Sequence, residues 1–89
     1  MFIAISLDLA SADSTNNIKR IMNDYGIKKI QSNLHESFEF PPNKLGNLKR
    51  EITNAVDIYD KLRIYQYPLE ESFKISYLDN KKWKRLSIK

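Results

Sequence analysis

Two hydrophobic periods alternate along this chain, and each change of period marks a change of element. Phe2-Ile3-Ala4-Ile5-Ser6-Leu7 is an almost unbroken apolar run of strand length that stops on Asp8. Such a run predicts a strand buried on both faces, with the Asp8 carboxylate at the rim of a sheet. Ile18, Ile21, Met22 and Tyr25 then recur at i, i+3, i+4 and i+7, one stripe of a helix spanning Ser11 to Tyr25. Ser11 or Asp13 can cap its start, and Gly26 can stop it. Leu48, Ile52, Ala55, Val56 and Tyr59 repeat the helical period from Leu45 onward, and Pro41-Pro42-Asn43 supplies the break and cap before it.

The remaining segments have the period of strands. The stretch Ile27 to Phe40 reads as one or two strands, with Leu34, Phe38 and Phe40 toward the core and Asn33, Ser37 and Glu39 toward water. Arg63-Ile64-Tyr65-Gln66-Tyr67 is β-prone and closes on Pro68, which donates no ladder hydrogen bond. Phe73, Ile75 and Tyr77 alternate again, and Trp83 to Ile88 forms a last short strand after an Asp79-Asn80 turn. The order strand, helix, one or two strands, helix, strand, strand predicts an α+β fold. Two helices would cover one face of an antiparallel sheet in a ferredoxin-like two-layer sandwich with an extra C-terminal strand. The uncovered face would then meet a partner or a second copy of the chain. With no repeat, linker or low-complexity segment, residues 1–89 read as a single domain, its core in about 1–78 and a basic segment in 80–89.

Composition sharpens this picture at three points. A chain of 89 residues buries only about 60% of its unfolded surface, so its core is modest and association would stabilise it. There is no cysteine, which excludes disulfides, thiolate metal sites and thiol nucleophiles and suits a reducing cytoplasm. No segment has the length and apolarity of a membrane span, and the start lacks the pattern of a signal peptide; the expectation is a cytoplasmic protein with no membrane partner. The net charge of +4 is placed unevenly, since Lys81, Lys82, Lys84, Arg85 and Lys89 fall in the last ten residues with no acid among them. Such a stretch, carrying Trp83, suits contact with phosphates, where counterion release favours binding. It equally suits an edge strand kept soluble and unpaired by lysines.

Candidate chemistry is sparse. One carboxylate holds Mg²⁺ poorly, because that ion keeps much of its water and needs one or two carboxylates together with substrate phosphates. Two copies of Asp8 brought together by a two-fold axis would meet that need; an aspartate at this position also commonly just ends a strand. Glu36 and Glu39 lie on a strand and read as solvent-facing, and His35, the single histidine, could accept a proton near neutral pH but, with no partner identifiable in the sequence, reads as a surface residue. With only Gly26 and Gly46, the chain lacks a phosphate loop or nucleophile elbow. Tyr65, Tyr67, Phe73 and Tyr77 have the spacing of sheet packing, which also suits stacking on bases.

These pieces together resemble a known family. The strand ending in Asp8, the helix closing at Tyr25-Gly26, Ile27-Lys28-Lys29-Ile30-Gln31 leading to Glu36, and Leu62-Arg63-Ile64-Tyr65 followed by Pro68-Leu69 are similar to the CRISPR-associated protein 2 family, the small subunit of the spacer-acquisition complex. The resemblance covers about Met1 to Leu69. It implies a symmetric homodimer whose C-terminal strands extend the partner's sheet, which bridges dimers of the CRISPR integrase subunit and carries duplex DNA. It also implies a catalytic and Mg²⁺-binding role for Asp8 near the dimer axis, in a weak or vestigial endonuclease acting on DNA or RNA. Lys19, Arg20, Lys28, Lys29, Lys81, Lys82, Lys84 and Arg85 are the candidate nucleic-acid contacts. Asp13 and Ser14 stand where the family tends to have arginines, and Asn33 and His35 stand where a Ser and a Phe are common. Those departures bear on cutting more than on fold, because catalysis depends on particular polar groups. Two alternatives stay open: a toxin ribonuclease of the VapD group, which also begins with a strand ending in Asp, and a dimerisation module without catalysis.

Overall fold

A computed structural model describes residues 1–67 and 73–88. Six strands and two helices follow in the order β1 (Phe2–Asp8), α1 (Ala12–Asp24), β2 (Lys28–Gln31), β3 (Leu34–Ser37), α2 (Leu45–Ala55), β4 (Lys61–Tyr67), β5 (Phe73–Asp79) and β6 (Lys82–Ile88), with a 3₁₀ turn at Pro42–Lys44 before α2. All six strands join one antiparallel sheet in the order β2-β3-β1-β4-β5-β6. The first four have the order and directions of a ferredoxin-like sandwich, and the expected extra strand arrives as a hairpin, β5–β6, on the free edge of β4. Pro68, read as a strand end, and Leu69, part of the resemblance, lie outside the described residues.

Local chemistry places the ends of α1 where the sequence predicts them. The Ser11 hydroxyl accepts the Ser14 backbone N–H at 3.1 Å, satisfying one of the helix's orphan donors. At the other end Gly26 has φ +70°. That conformation lets Gly26 N donate to Asn23 O at 3.1 Å and Ile27 N to Met22 O at 2.9 Å, the paired bonds of a Schellman cap. The helix α2 is shorter than its periodicity suggests. It stops at Ala55, where Val56 turns extended, and Tyr59 lies beyond it, 73% exposed. The Asp60 carboxylate accepts the Asp57 N–H and so holds the chain in a turn instead of a further helical turn.

The core lies between the helices and one face of the sheet. Ile3, Ile5 and Leu7 of β1 meet Leu62 and Ile64 of β4 and Leu78 of β5, against Ile18, Ile21 and Met22 of α1 and Leu48 and Ile52 of α2. This corrects the expectation that β1 is buried on both faces. Its odd residues are buried and its even ones are only half-buried or exposed, because helices cover one side alone. A second correction concerns β3. Antiparallel pairing sets His35 opposite Ile5 and therefore toward the helices, and a period of two sends Leu34, Glu36 and Phe38 to the other face. His35 is 3% exposed and Phe38 is 75% exposed, the reverse of the sequence reading. Phe40, beyond the strand, is buried as expected.

The hairpin β5–β6 turns at Asn80 and Lys81, whose φ values of 53° and 57° are those of a type I′ turn. Its outer strand is anchored to α2. Trp83 donates from Nε1 to Thr53 Oγ1 at 2.8 Å, and the Lys49 ammonium sits 5.3 Å from the indole centroid. Lys49 also donates to Ser76 Oγ at 2.9 Å, which accepts from Gln66 Nε2 at 2.7 Å as well. Burial lowers the Lys49 pKa, and Arg85 lowers it further.

Candidate functional site

Asp8 is the last residue of β1 and is exposed at the rim of the uncovered face. Its position is held from both sides. Leu7 N donates to Asn33 O at 2.8 Å, and Ala10 N donates to Asp60 Oδ1 at 2.7 Å. Asp60 is a residue that sequence reasoning missed. It is fully buried, and its other oxygen accepts Asp57 N at 2.9 Å. Burial pushes its pKa up, but hydrogen bonds from Ser14, Ala10 and Asp57 outweigh that and hold the carboxyl below its ordinary value. It therefore ties the β1–α1 loop to the α2–β4 loop, beneath the rim that carries Asp8. No local pattern in the sequence marks Asp60; only the fold brings residue 10 beside residue 60.

The surroundings of Asp8 are mixed in charge. Its register partner on β4 is Lys61, and cross-strand partners share a face. Next along the same face come Ser6 opposite Arg63, and Arg63 opposite Tyr77, with the guanidinium carbon 5.8 Å from the Tyr77 centroid. At the far end of the face Phe2 packs against Phe38 and Tyr67, with centroids 5.2 and 5.4 Å away. The uncovered face thus grades from a charged rim to an apolar, aromatic end, where Phe38, Tyr67 and Leu86 are largely exposed.

A metal finds one carboxylate at Asp8 in a single protomer. Among the described residues no group of three or more acidic or histidine side chains is placed to hold an ion. Lys61 stands opposite Asp8 in the ladder, so the cross-strand residue is of opposite charge. Glu36 is half-buried and paired in register with Lys28, and Glu39 is exposed beyond β3. Neither joins Asp8.

The eight candidate nucleic-acid contacts separate into distinct places. Lys28 and Lys29 lie on β2 at one edge of the sheet, and Lys82, Lys84 and Arg85 lie on β6 at the other. Five strand spacings of about 4.8 Å put these edges roughly 24 Å apart. Alternation divides each set again. Lys82 and Lys84 share the uncovered face with Lys28, whereas Arg85 follows Trp83 toward the helices and Lys29 follows His35. Lys81 is in the turn. On α1, Arg20 donates to Asn17 Oδ1 at 3.3 Å and lines a groove with Asp24 and Glu51, so it sits among acids. Glu51 in turn accepts the Tyr25 hydroxyl. Lys19 belongs to another groove, with Lys28, Lys29 and His35.

Trp83 is committed to Thr53 and Lys49, which removes it as a stacking platform for bases. Tyr77 lies under Arg63 in the same way. No helix among the described residues is long and apolar enough to cross a membrane. The chain matches no family model, no curated protein and no solved structure.

Proposed function

We propose that this chain is an adaptation protein of the CRISPR-associated protein 2 type: a homodimer that binds duplex DNA and bridges integrase subunits during spacer acquisition. The observation that carries the reading is the uncovered sheet face, apolar and aromatic at one end, on a fold whose element order matches the resemblance. A monomer of this size gains from covering such a face, and a two-fold axis covers it with a copy of itself. Duplex DNA is the partner that suits lysines at both outer strands, because each ammonium that neutralises a phosphate releases a counterion.

Cutting is the weaker part of this role. If two Asp8 carboxylates met at the dimer axis with substrate phosphates, they would form a site of the kind Mg²⁺ accepts, and the bound ion would polarise a phosphoryl oxygen. Asp8 and its counterpart would hold that ion, and Lys61 would compete for them. The protein is therefore a scaffold first. A chain without cysteine suits a reducing cytoplasm.

Light scattering together with a salt series of duplex binding tests the reading. The expected mass is twice 10.5 kDa at micromolar concentration. Lys82→Ala with Lys84→Ala should lower the logarithmic salt slope by about 1.8, since each lost phosphate contact removes about 0.9. A single-chain mass throughout the micromolar range, or duplex binding without salt dependence, would overturn it. Failure to join the integrase subunit, with cleavage of RNA instead, would favour the toxin ribonuclease.

A further inference from the structure

The reversed orientation of β3 carries a consequence for the helix side of the sheet. His35 is 3% exposed, and its Nδ1 is buried with no hydrogen-bond partner. Buried polar atoms are almost always paired, so an orphan is a sign that a partner is missing. His35 lines an open groove of about 590 Å³ between α1 and the β2–β3 hairpin, together with Lys19, Lys28, Lys29 and the apolar Met22 and Ile27. That volume is within the usual range for a small-molecule site. Two ammonium groups, those of Lys19 and Lys29, act on the imidazole there, and no acid lines the groove.

We propose that this groove binds a phosphate monoester, held by Lys19 and Lys29 at its rim and by the His35 imidazole at its floor. A monoester carries between about 1.5 and 2 negative charges at neutral pH, whereas a carboxylate or a diester carries one, so two ammonium groups beside an imidazole that can take up a proton favour the monoester. The apolar wall of Met22 and Ile27 suits the organic part of a nucleotide. Duplex backbone contact needs no such pocket. The natural source of the phosphate rests on the nucleic-acid reading above, but the site itself does not.

The groups facing His35 set the sign of its pH dependence. Lys19 comes from α1 and Lys29 from β2, while β1 presents the apolar Ile5; Glu36, the next residue, projects to the opposite face. Burial lowers the imidazole pKa, and Lys29 and Lys19 lower it further, so the unliganded ring is neutral at pH 7. An anion in the groove reverses that field and favours the imidazolium. Binding then takes up a proton at His35, and for an anion such as sulfate, whose own charge is constant between pH 6 and pH 8, affinity rises as pH falls.

His35 is the single histidine, so its ring resonance in a proton NMR spectrum can be followed without assignment. The probes are inorganic phosphate, sulfate, a nucleoside 5′-monophosphate and an oligonucleotide with or without a 5′-phosphate. The expected result is a saturable shift of the His35 signal with phosphate, a raised titration midpoint, and tighter binding of sulfate at pH 6 than at pH 8. Lys29→Ala should weaken binding about tenfold, the scale of one charge-assisted hydrogen bond, with the fold unchanged. His35→Gln, whose amide cannot take up the proton, should abolish the pH dependence. A stronger shift with the 5′-phosphorylated oligonucleotide than with the bare one identifies a nucleic-acid end, and equal response to free phosphate alone identifies a small anion. Shifts no larger than those of chloride at the same ionic strength, or a Lys29→Ala variant that binds like the parent, would overturn the site. Neither result depends on whether the protein binds duplex DNA.

Discussion

Replacing Asp60 by asparagine tests how far one buried carboxylate organises the rim of the sheet. The two backbone donors reach different oxygens, Ala10 N at 2.7 Å to Oδ1 and Asp57 N at 2.9 Å to Oδ2. Asparagine has one acceptor oxygen and one amide nitrogen. One backbone N–H must then face another donor, in a site with no solvent exposure. A hydrogen bond to a charged group contributes about 1.5–3 kcal/mol, and stranding a buried donor costs about 1–3 kcal/mol. Partial relaxation of the loop offsets some of this, so the expected loss is about 3 kcal/mol, or about 12–24 °C in Tm for a domain of this size. Urea unfolding followed by the fluorescence of Trp83, the one tryptophan, measures it directly.

The pH dependence adds an independent check. The folded carboxyl has a lowered pKa, so its contribution to stability is fully present above the unfolded value of about 3.9 and is lost as pH falls through the folded value. The gap between parent and Asp60→Asn should be widest near pH 7 and should close under acid. A loss below about 0.5 kcal/mol at pH 7, the range of ordinary surface changes, would refute the reasoning. So would a gap that stays constant down to acid pH.

Two further outcomes are expected. Lys81→Gly should stabilise the protein by about 0.5–1 kcal/mol, because φ 57° is a left-handed conformation that glycine adopts freely and Asn-Gly is the favoured type I′ pair; a lower urea midpoint would show that the lysine side chain matters more than its backbone. Asp8→Asn should change stability by less than about 1 kcal/mol, since the residue is an exposed strand end, and under the proposed adaptation role it should leave duplex binding and spacer integration intact; robust Mg²⁺-dependent cleavage by the parent that vanishes in this variant would favour a nuclease over a scaffold.

The element order was legible in the sequence because it depends on period and punctuation. The stripe Ile18, Ile21, Met22 and Tyr25 with Ser11 and Gly26 at its ends predicts α1 to within a residue, and the Pro41-Pro42 break predicts the start of α2. Those signals are local. Which face of β3 turns inward is not local, because Leu34 and His35, with Phe38 just past its end, belong to a strand short enough for either register; pairing with Ile5 of β1 decided it. The same limit hid the groove around His35, whose lysines come from α1 and β2, and the buried Asp60, whose partner Ala10 is fifty residues away. The sequence likewise counted the basic residues but could not distribute them. Strand order put β2 and β6 at opposite edges, and the period of two divided each set between the faces. A one-residue shift of register moves every side chain to the other face at no cost to the pattern, so only the packing of the helices against one side of the sheet selects among the alternatives.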